Sequence, residues 1–199
     1  EAWYIPFQYP EKKKNNFGDN DVSEVLIKLK NILENKSILK TAKDFKYIAQ
    51  VFKRYGINID GLHFDTTIAS HLLNPLAKSI SLSSLSMEYL NYDMMSIDEL
   101  IGKGQKQIPL NEVPLKKIAF YSSEETDITY QLTHLLYDKL KDKGITKYFH
   151  EIEMNLLSVL IQMEYEGVFV DSKLLEDMSN KVGKKINKLV SSIYLIAGE

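Results

Sequence analysis

The chain has 199 residues, a formal net charge of −2 and no cysteine, so it can bury a real core but holds no disulfide or thiolate zinc site. Its 44% hydrophobic and 26% charged content excludes wholesale disorder, and the lack of a basic excess excludes unselective binding to a polyanion. No signal peptide is legible and no apolar run reaches the ~18 residues of a membrane span, so a cytoplasmic chain without a membrane partner is expected.

In chain order, Ala2 to Phe7 (AWYIPF) reads as a short strand, stopped by Pro6 and a polar stretch that runs to Asp19. The Lys12–Lys14 run in that stretch is a solvated loop, or alternatively a loop that contacts phosphate. Asp21 and Glu24 form a capping box for a helix with one apolar stripe: Val22, Val25, Leu26, Leu29, Ile32 and Leu33. Ser37 to Ala42 (SILKTA) is a strand. A helix from about Asp44 to Tyr55 follows, with Phe45, Ile48, Ala49 and Phe52 inward and Gly56 as its stop. This strand–helix alternation with short loops predicts an α/β layered domain.

Phe64-Asp65-Thr66 opens another helix, capped by Asp65 or Thr66 and ended by Asn74-Pro75. His71 within it reads as a packed histidine rather than a ligand. A Ser-rich link leads to a short helix bearing Leu82, Leu85, Tyr89 and Leu90. Ile97 to Ile101 then gives way to GKGQKQ (Gly102–Gln107). Its two glycines would let the backbone approach a phosphate, but it lacks the length and Ser/Thr of a P-loop, and a plain flexible loop is the alternative.

Pro114 opens a long helix from Leu115 to about Asp142, which Gly144 stops. A further helix from about Lys147 to Glu166 should turn Phe149, Ile152, Leu156, Leu157, Leu160 and Met163 inward. Asp171 caps a last helix whose stripe (Leu175, Met178, Val182, Ile186, Leu189, Ile193, Ile196) wants a partner surface. Its polar side, with Lys181, Lys184, Lys185 and Lys188, reads as a solvated face. The closing Ala197-Gly198-Glu199 reads as a cut.

The long helix carries the most informative run, AFYSSEETDITY (Ala119–Tyr130). Tyr121 and Glu125 stand at i and i+4 and share one helix face. A carboxylate that holds a divalent metal beside a phenol that places water suits phosphodiester hydrolysis. The same spacing also describes an ordinary half-buried face.

In this order the pieces resemble the family A polymerases, bacterial DNA polymerase I. The resemblance rests on HFDTTIASHLLNP (His63–Pro75), SLSSLSMEYL (Ser81–Leu90), ELIGKGQKQIPLNEVPL (Glu99–Leu115), YSSEETDITYQL (Tyr121–Leu132), FHEIEMNLLSVLIQMEYEGVFVD (Phe149–Asp171) and IYLIAGE (Ile193–Glu199). It implies an α/β, ribonuclease-H-like 3′–5′ exonuclease fold over residues 1–145 and the first helices of the polymerase domain over 146–199. It also implies Mg²⁺ or Mn²⁺ as cofactor, DNA (a primer 3′ end or single strand) as partner, and the rest of the polymerase as a packing surface.

Set against the family's metal-binding motifs, the chain departs in three places. The first motif, Asp-x-Glu on an early strand, has no counterpart, since Ala2 to Phe7 resembles the strand after it. In the second, Asn-x-x-x-Asp, the run is Asp44-Phe45-Lys46-Tyr47-Ile48, and isoleucine cannot ligate a metal. Asp44 lies about 6 Å away along the axis and would substitute only after a helix shift. In the third, Tyr-x-x-x-Asp, Tyr121 is kept but the acid is Glu125, which moves the carboxylate by more than about 1 Å.

The resemblance thus makes Tyr121 and Glu125 the catalytic candidates and Glu125 and Asp44 the metal candidates. Asp127 reads as a helix-surface acid. Lys46, Lys103 and Lys106 are candidate phosphate contacts and Tyr47 a candidate base-stacking ring. The expectation is a degenerate exonuclease kept as a scaffold. One alternative is an active two-metal site on Asp44 and Glu125, and another is a helical partner-binding protein without DNA affinity.

Overall fold

In the computed structural model, residues 1–5 and 21–198 are described, the side chains of residues 21–24 excepted. The Lys12–Lys14 loop and the Asp21–Glu24 capping box therefore lie outside the described residues. Residues 1–5 carry no regular secondary structure, so the described part of the expected Ala2–Phe7 strand is not one.

The first helix, α1 (Asp21–Leu33), half-buries Val25, Leu26, Leu29 and Leu33 but leaves Ile32 exposed. The next strand, β1, is only Lys40–Ala42. It is shorter than expected because residues 35–39 turn: the Ser37 amide donates to Asn35 Oδ1 at 2.9 Å. That turn crosses close over Gly61, which has φ +72°; a Cβ there would lie 2.5 Å from the Ile38 carbonyl oxygen. Only glycine fits both the angle and the approach.

After β1 comes α2 (Phe45–Arg54), and then a strand the sequence did not announce, β2 (Leu62–Asp65). The two strands pair in parallel, Thr41 against Phe64 and Ala42 against Asp65, with an irregularity after Lys40. Parallel strands need a crossover, and α2 supplies it, giving a βαβ unit. Asp65 ends β2 and caps α3 (Thr66–Leu73) through the amides of Thr67 and Ile68. His71, expected to be packed, is exposed. Ile68, Ala69, Leu72 and Leu73 take the inner face, and His71 falls on the outer one.

The short helices α4 (Leu82–Leu85) and α5 (Ile97–Ile101) follow, α4 running into a π turn at Ser86–Leu90. Ser96 and Glu99 make a complete capping box on α5. The 28-residue α6 (Leu115–Asp142) then lays Ile128, Leu132, Leu136 and Leu140 against the sheet and α3. Phe64 of β2 and Phe149 pack at 4.8 Å between ring centres in the middle of this core.

The expected helix over 147–166 is present but carries a π turn at Phe149–Glu153, between α7 (Thr146–Tyr148) and α8 (Met154–Glu166). A π turn takes about one residue more than an α turn, so it advances the phase of everything after it. The buried residues of α8 are Met154, Leu157 and Ile161, whereas Ile152, Leu156 and Met163, expected inward, are exposed.

The chain divides into two units, Glu1–Gln162 and Met163–Glu199. The second holds the end of α8, an extended link and α9 (Ser172–Ala197). Asp171 caps α9 through the Leu174 amide at 2.9 Å, as the sequence predicts. All the apolar stripe residues of α9 are exposed, Met178 and Val182 among them.

Candidate active-site cleft

Between the start of α2 and the middle of α6 lies an open cleft of about 580 Å³. The β1–α2 side contributes Thr41, Ala42, Lys43, Asp44, Tyr47 and Ile48 to its lining, and α6 contributes Ser122, Glu125, Thr126, Thr129 and Tyr130. The structure thus brings together Asp44, Tyr47, Ile48 and Glu125, which lie as many as 81 residues apart in sequence.

Asp44 sits in the left-handed region with φ 59° and is the N-cap of α2; its Oδ1 accepts the Tyr47 amide at 3.3 Å. A non-glycine residue there is uncommon, and the conformation is held from the next residue. The Phe45 amide donates to Asp65 Oδ2 at 2.7 Å, so the buried end of β2 fixes the first turn of α2. Asp65 thereby accepts three backbone amides, from Phe45, Thr67 and Ile68. Burial pushes its carboxyl above the usual carboxylate range, against the downward pull of those three donors. Ile48, one helical turn on from Asp44, places a branched alkyl group in the lining.

On α6, Tyr121 Oη donates to Glu125 Oε1 at 2.9 Å. The predicted i, i+4 pair is therefore formed, although Glu125 lines the cleft and Tyr121 stands behind it. Burial first, and then the neighbouring Glu125 charge, push the Tyr121 phenol well above its ordinary value. It stays a protonated donor throughout the neutral range.

The three acids of this run have three different surroundings. Glu124 Oε1 and Oε2 accept the Tyr92 hydroxyl at 2.7 Å and the Met95 amide at 3.0 Å, and so clamp the loop after α4 onto α6. Asp127 accepts the Gln131 side chain at 2.7 Å on the helix surface. Only Glu125 reaches the cleft.

The remaining candidates lie elsewhere. Lys46 is on α2 beside Tyr47 but outside the cleft lining. Lys103 pairs with Asp98 at 3.3 Å on an exposed loop, and Lys106 ends a 3-10 turn, Gly104–Lys106, on the same loop. Sequence reasoning missed Lys43, Ser122, Thr126, Thr129 and Tyr130. Of the α6 residues, Ser122, Thr129 and Tyr130 stand three to five positions from Glu125, a spacing that marks them as neighbours on its face, while Thr126 is the next residue along. Tyr130 is held edge-on to His134 at 4.7 Å between ring centres.

The donor set fits a divalent metal pair poorly. Its two carboxylates are each already engaged, Asp44 with a helix amide and Glu125 with a phenol. Among the described residues no group of three or more acid, histidine or cysteine side chains gathers as a metal centre would need. Mg²⁺ is content with one or two carboxylates plus water and substrate oxygens, so the set suffices for one hydrated cation at most.

Comparison with known proteins places this geometry. Residues 2–132 match the family described as DNA polymerase I, ribonuclease H-like domain. DNA polymerase I of Rhizobium leguminosarum is 29% identical across the whole chain, and that of Pseudomonas aeruginosa 30%. The chain spans only 20% and 22% of the length of those two relatives. DNA polymerase I of Borreliella burgdorferi is 32% identical over 88% of the chain. Among solved structures, the POL domain of Pol1 from M. smegmatis, in complex with DNA primer-template and dNTP, superposes with a TM-score of 0.68. That match covers 88% of this chain and 27% of the other, at 18% identity, which speaks for the fold. The chain belongs to the DNA polymerase I family, through an α/β ribonuclease H-like exonuclease domain.

Proposed function

We propose that this chain is the proofreading-type part of a DNA polymerase I, that its exonuclease chemistry is lost, and that it persists as a scaffold for the polymerase half. One observation carries the reading: Ile48 lines the cleft together with Asp44 and Glu125, the only two carboxylates there among the described residues. A phosphodiester entering the cleft would meet those charges with an alkyl group where a third ligand is needed, and with Lys43 as the only cation that the described residues bring to the lining. A single weakly held cation cannot both activate water and stabilise a leaving oxygen.

On this reading residues 1–145 form the exonuclease-like domain and 146–199 the first helices of the polymerase domain. The parent protein synthesises DNA in the cytoplasm with Mg²⁺ or Mn²⁺, and its partner is a primer 3′ end or a single strand. Tyr47, exposed at the cleft rim, offers a stacking face; Lys46, Lys103 and Lys106 contact phosphates from outside the cleft. No helix among the described residues is long and apolar enough to cross a membrane.

A second reading, an active site on Asp44 and Glu125, is favoured by their sharing one cleft. It requires each carboxylate to offer a metal its second oxygen while Asp44 Oδ1 keeps the cap on α2 and Glu125 Oε1 keeps the Tyr121 bond. Titration calorimetry with Mn²⁺ separates the two. The silent reading expects binding no tighter than about 1 mM, improved tenfold or more by the pair Ile48→Asp and Glu125→Asp. Tight Mn²⁺ binding by the unaltered protein, abolished by Asp44→Ala, would support the active site instead.

A further inference from the structure

His63 of β2 and His150 of the π turn after α7 stack at 5.2 Å between ring centres, with their planes 23° apart. Both are half-buried. Around them are aromatic faces: Tyr137 of α6 lies 6.2 Å from His150, and Phe149, which packs on Phe64, stands edge-on to it. The pair is thus the polar part of the contact that seats segment 146–153 on the sheet.

We propose that the His63–His150 stack is a proton-sensitive latch, which holds the π turn against β2 when both rings are neutral and releases it when both are charged. Two neutral imidazoles stack face to face as other aromatic rings do. Two imidazolium rings at that distance repel each other. On the π turn, Glu151 pairs with Lys147 at 3.9 Å and Glu153 accepts the Tyr148 hydroxyl. On β1, Lys40 donates to the Asn35 carbonyl; on β2, Asp65 is taken up by three amides. Beyond α6, Lys143 donates to the Leu73 carbonyl, and Tyr137 presents only its ring. No described carboxylate bonds to either imidazole.

The titration agrees in sign. Burial first, and the His63 charge second, lower the His150 pKa from its ordinary 6.5. A histidine whose folded pKa is depressed gives stability that is complete above the unfolded value and is lost as pH falls below it. The latch is closed near neutrality and opens in mild acid, and the opening belongs to residues 146–153 rather than to the whole fold.

Hydrogen–deuterium exchange by mass spectrometry on the full-length protein tests this. Protection factors for the peptide covering 146–153 are compared with those for α6 between about pH 7.5 and about pH 5.5. The expected result is a fall of about threefold or more in 146–153 with α6 unchanged. His63→Phe and His150→Phe each keep a ring in the stack and remove one charge; His150→Phe should abolish the fall, and His63→Phe, which leaves the burial of His150 in place, should reduce it. The proposal is overturned if protection is flat in the unaltered protein, if α6 falls equally, or if the fall persists undiminished in whichever of the two variants folds.

Discussion

At the scale of single residues, Asp65 joins the elements that build the cleft. Its carboxylate is 1% exposed and serves two helices at once, the first amide of α2 and the first turn of α3. Asp65→Ala leaves one buried and two half-buried amides without their acceptor and should cost about 3 kcal/mol, read as a shift in the urea midpoint. Tyr121 gives a pH prediction. Its phenol is raised above the ordinary 10.0, so its contribution is complete below that value and is lost as pH rises beyond it. Alkaline destabilisation above about pH 10 should therefore be shallower in Tyr121→Phe than in the parent chain, measured by urea unfolding along a pH series. The Tyr121–Glu125 pair was legible from spacing alone, because i and i+4 are neighbours on any helix. Asp65's role was only half legible. Its cap on α3 is local, but its bond to Phe45 spans 20 residues and depends on strand pairing that no local pattern reports.

At the scale of elements, the long amphipathic helices α6 and α9 were read from the sequence almost to the residue, since many turns of 3.6-residue periodicity agree with one another. The strand β2 was not read. Leu-His-Phe-Asp alternates apolar and polar over only four residues, too few to stand out, and runs straight into a helix cap. The π turn at Phe149–Glu153 defeated the reading of α8 for a different reason: a fixed 100° step carries a phase error past any inserted residue. The corrected phase is testable. Leu157→Ala, at a buried position, should cost about 3 kcal/mol, whereas Leu156→Ala, one residue earlier and exposed, should cost less than about 1 kcal/mol. Equal costs would restore the uniform α-helical phase that the sequence suggested.

At the scale of the whole molecule, the chain covers about a fifth of its relatives' length and ends with α9, whose apolar stripe is exposed. An exposed stripe of that length favours association. The 199-residue chain on its own should therefore show concentration-dependent self-association in sedimentation equilibrium, and Val182→Glu with Leu189→Glu should abolish it. A monomer at all concentrations would mean the stripe is too weak to bind its own copy.

The family and fold were legible because six short runs keep their order and spacing. The state of the candidate cleft turns on single side chains, Ile48 and Glu125, whose consequence depends on what else reaches the cleft. The direct test is a 3′-exonuclease assay of the full-length protein on single-stranded DNA with Mg²⁺ or Mn²⁺, beside a Glu125→Ala control. Intact DNA under both metals is the predicted result. A ladder of shortened products that vanishes in the control would show that Glu125 still holds a working metal, and would contradict the account.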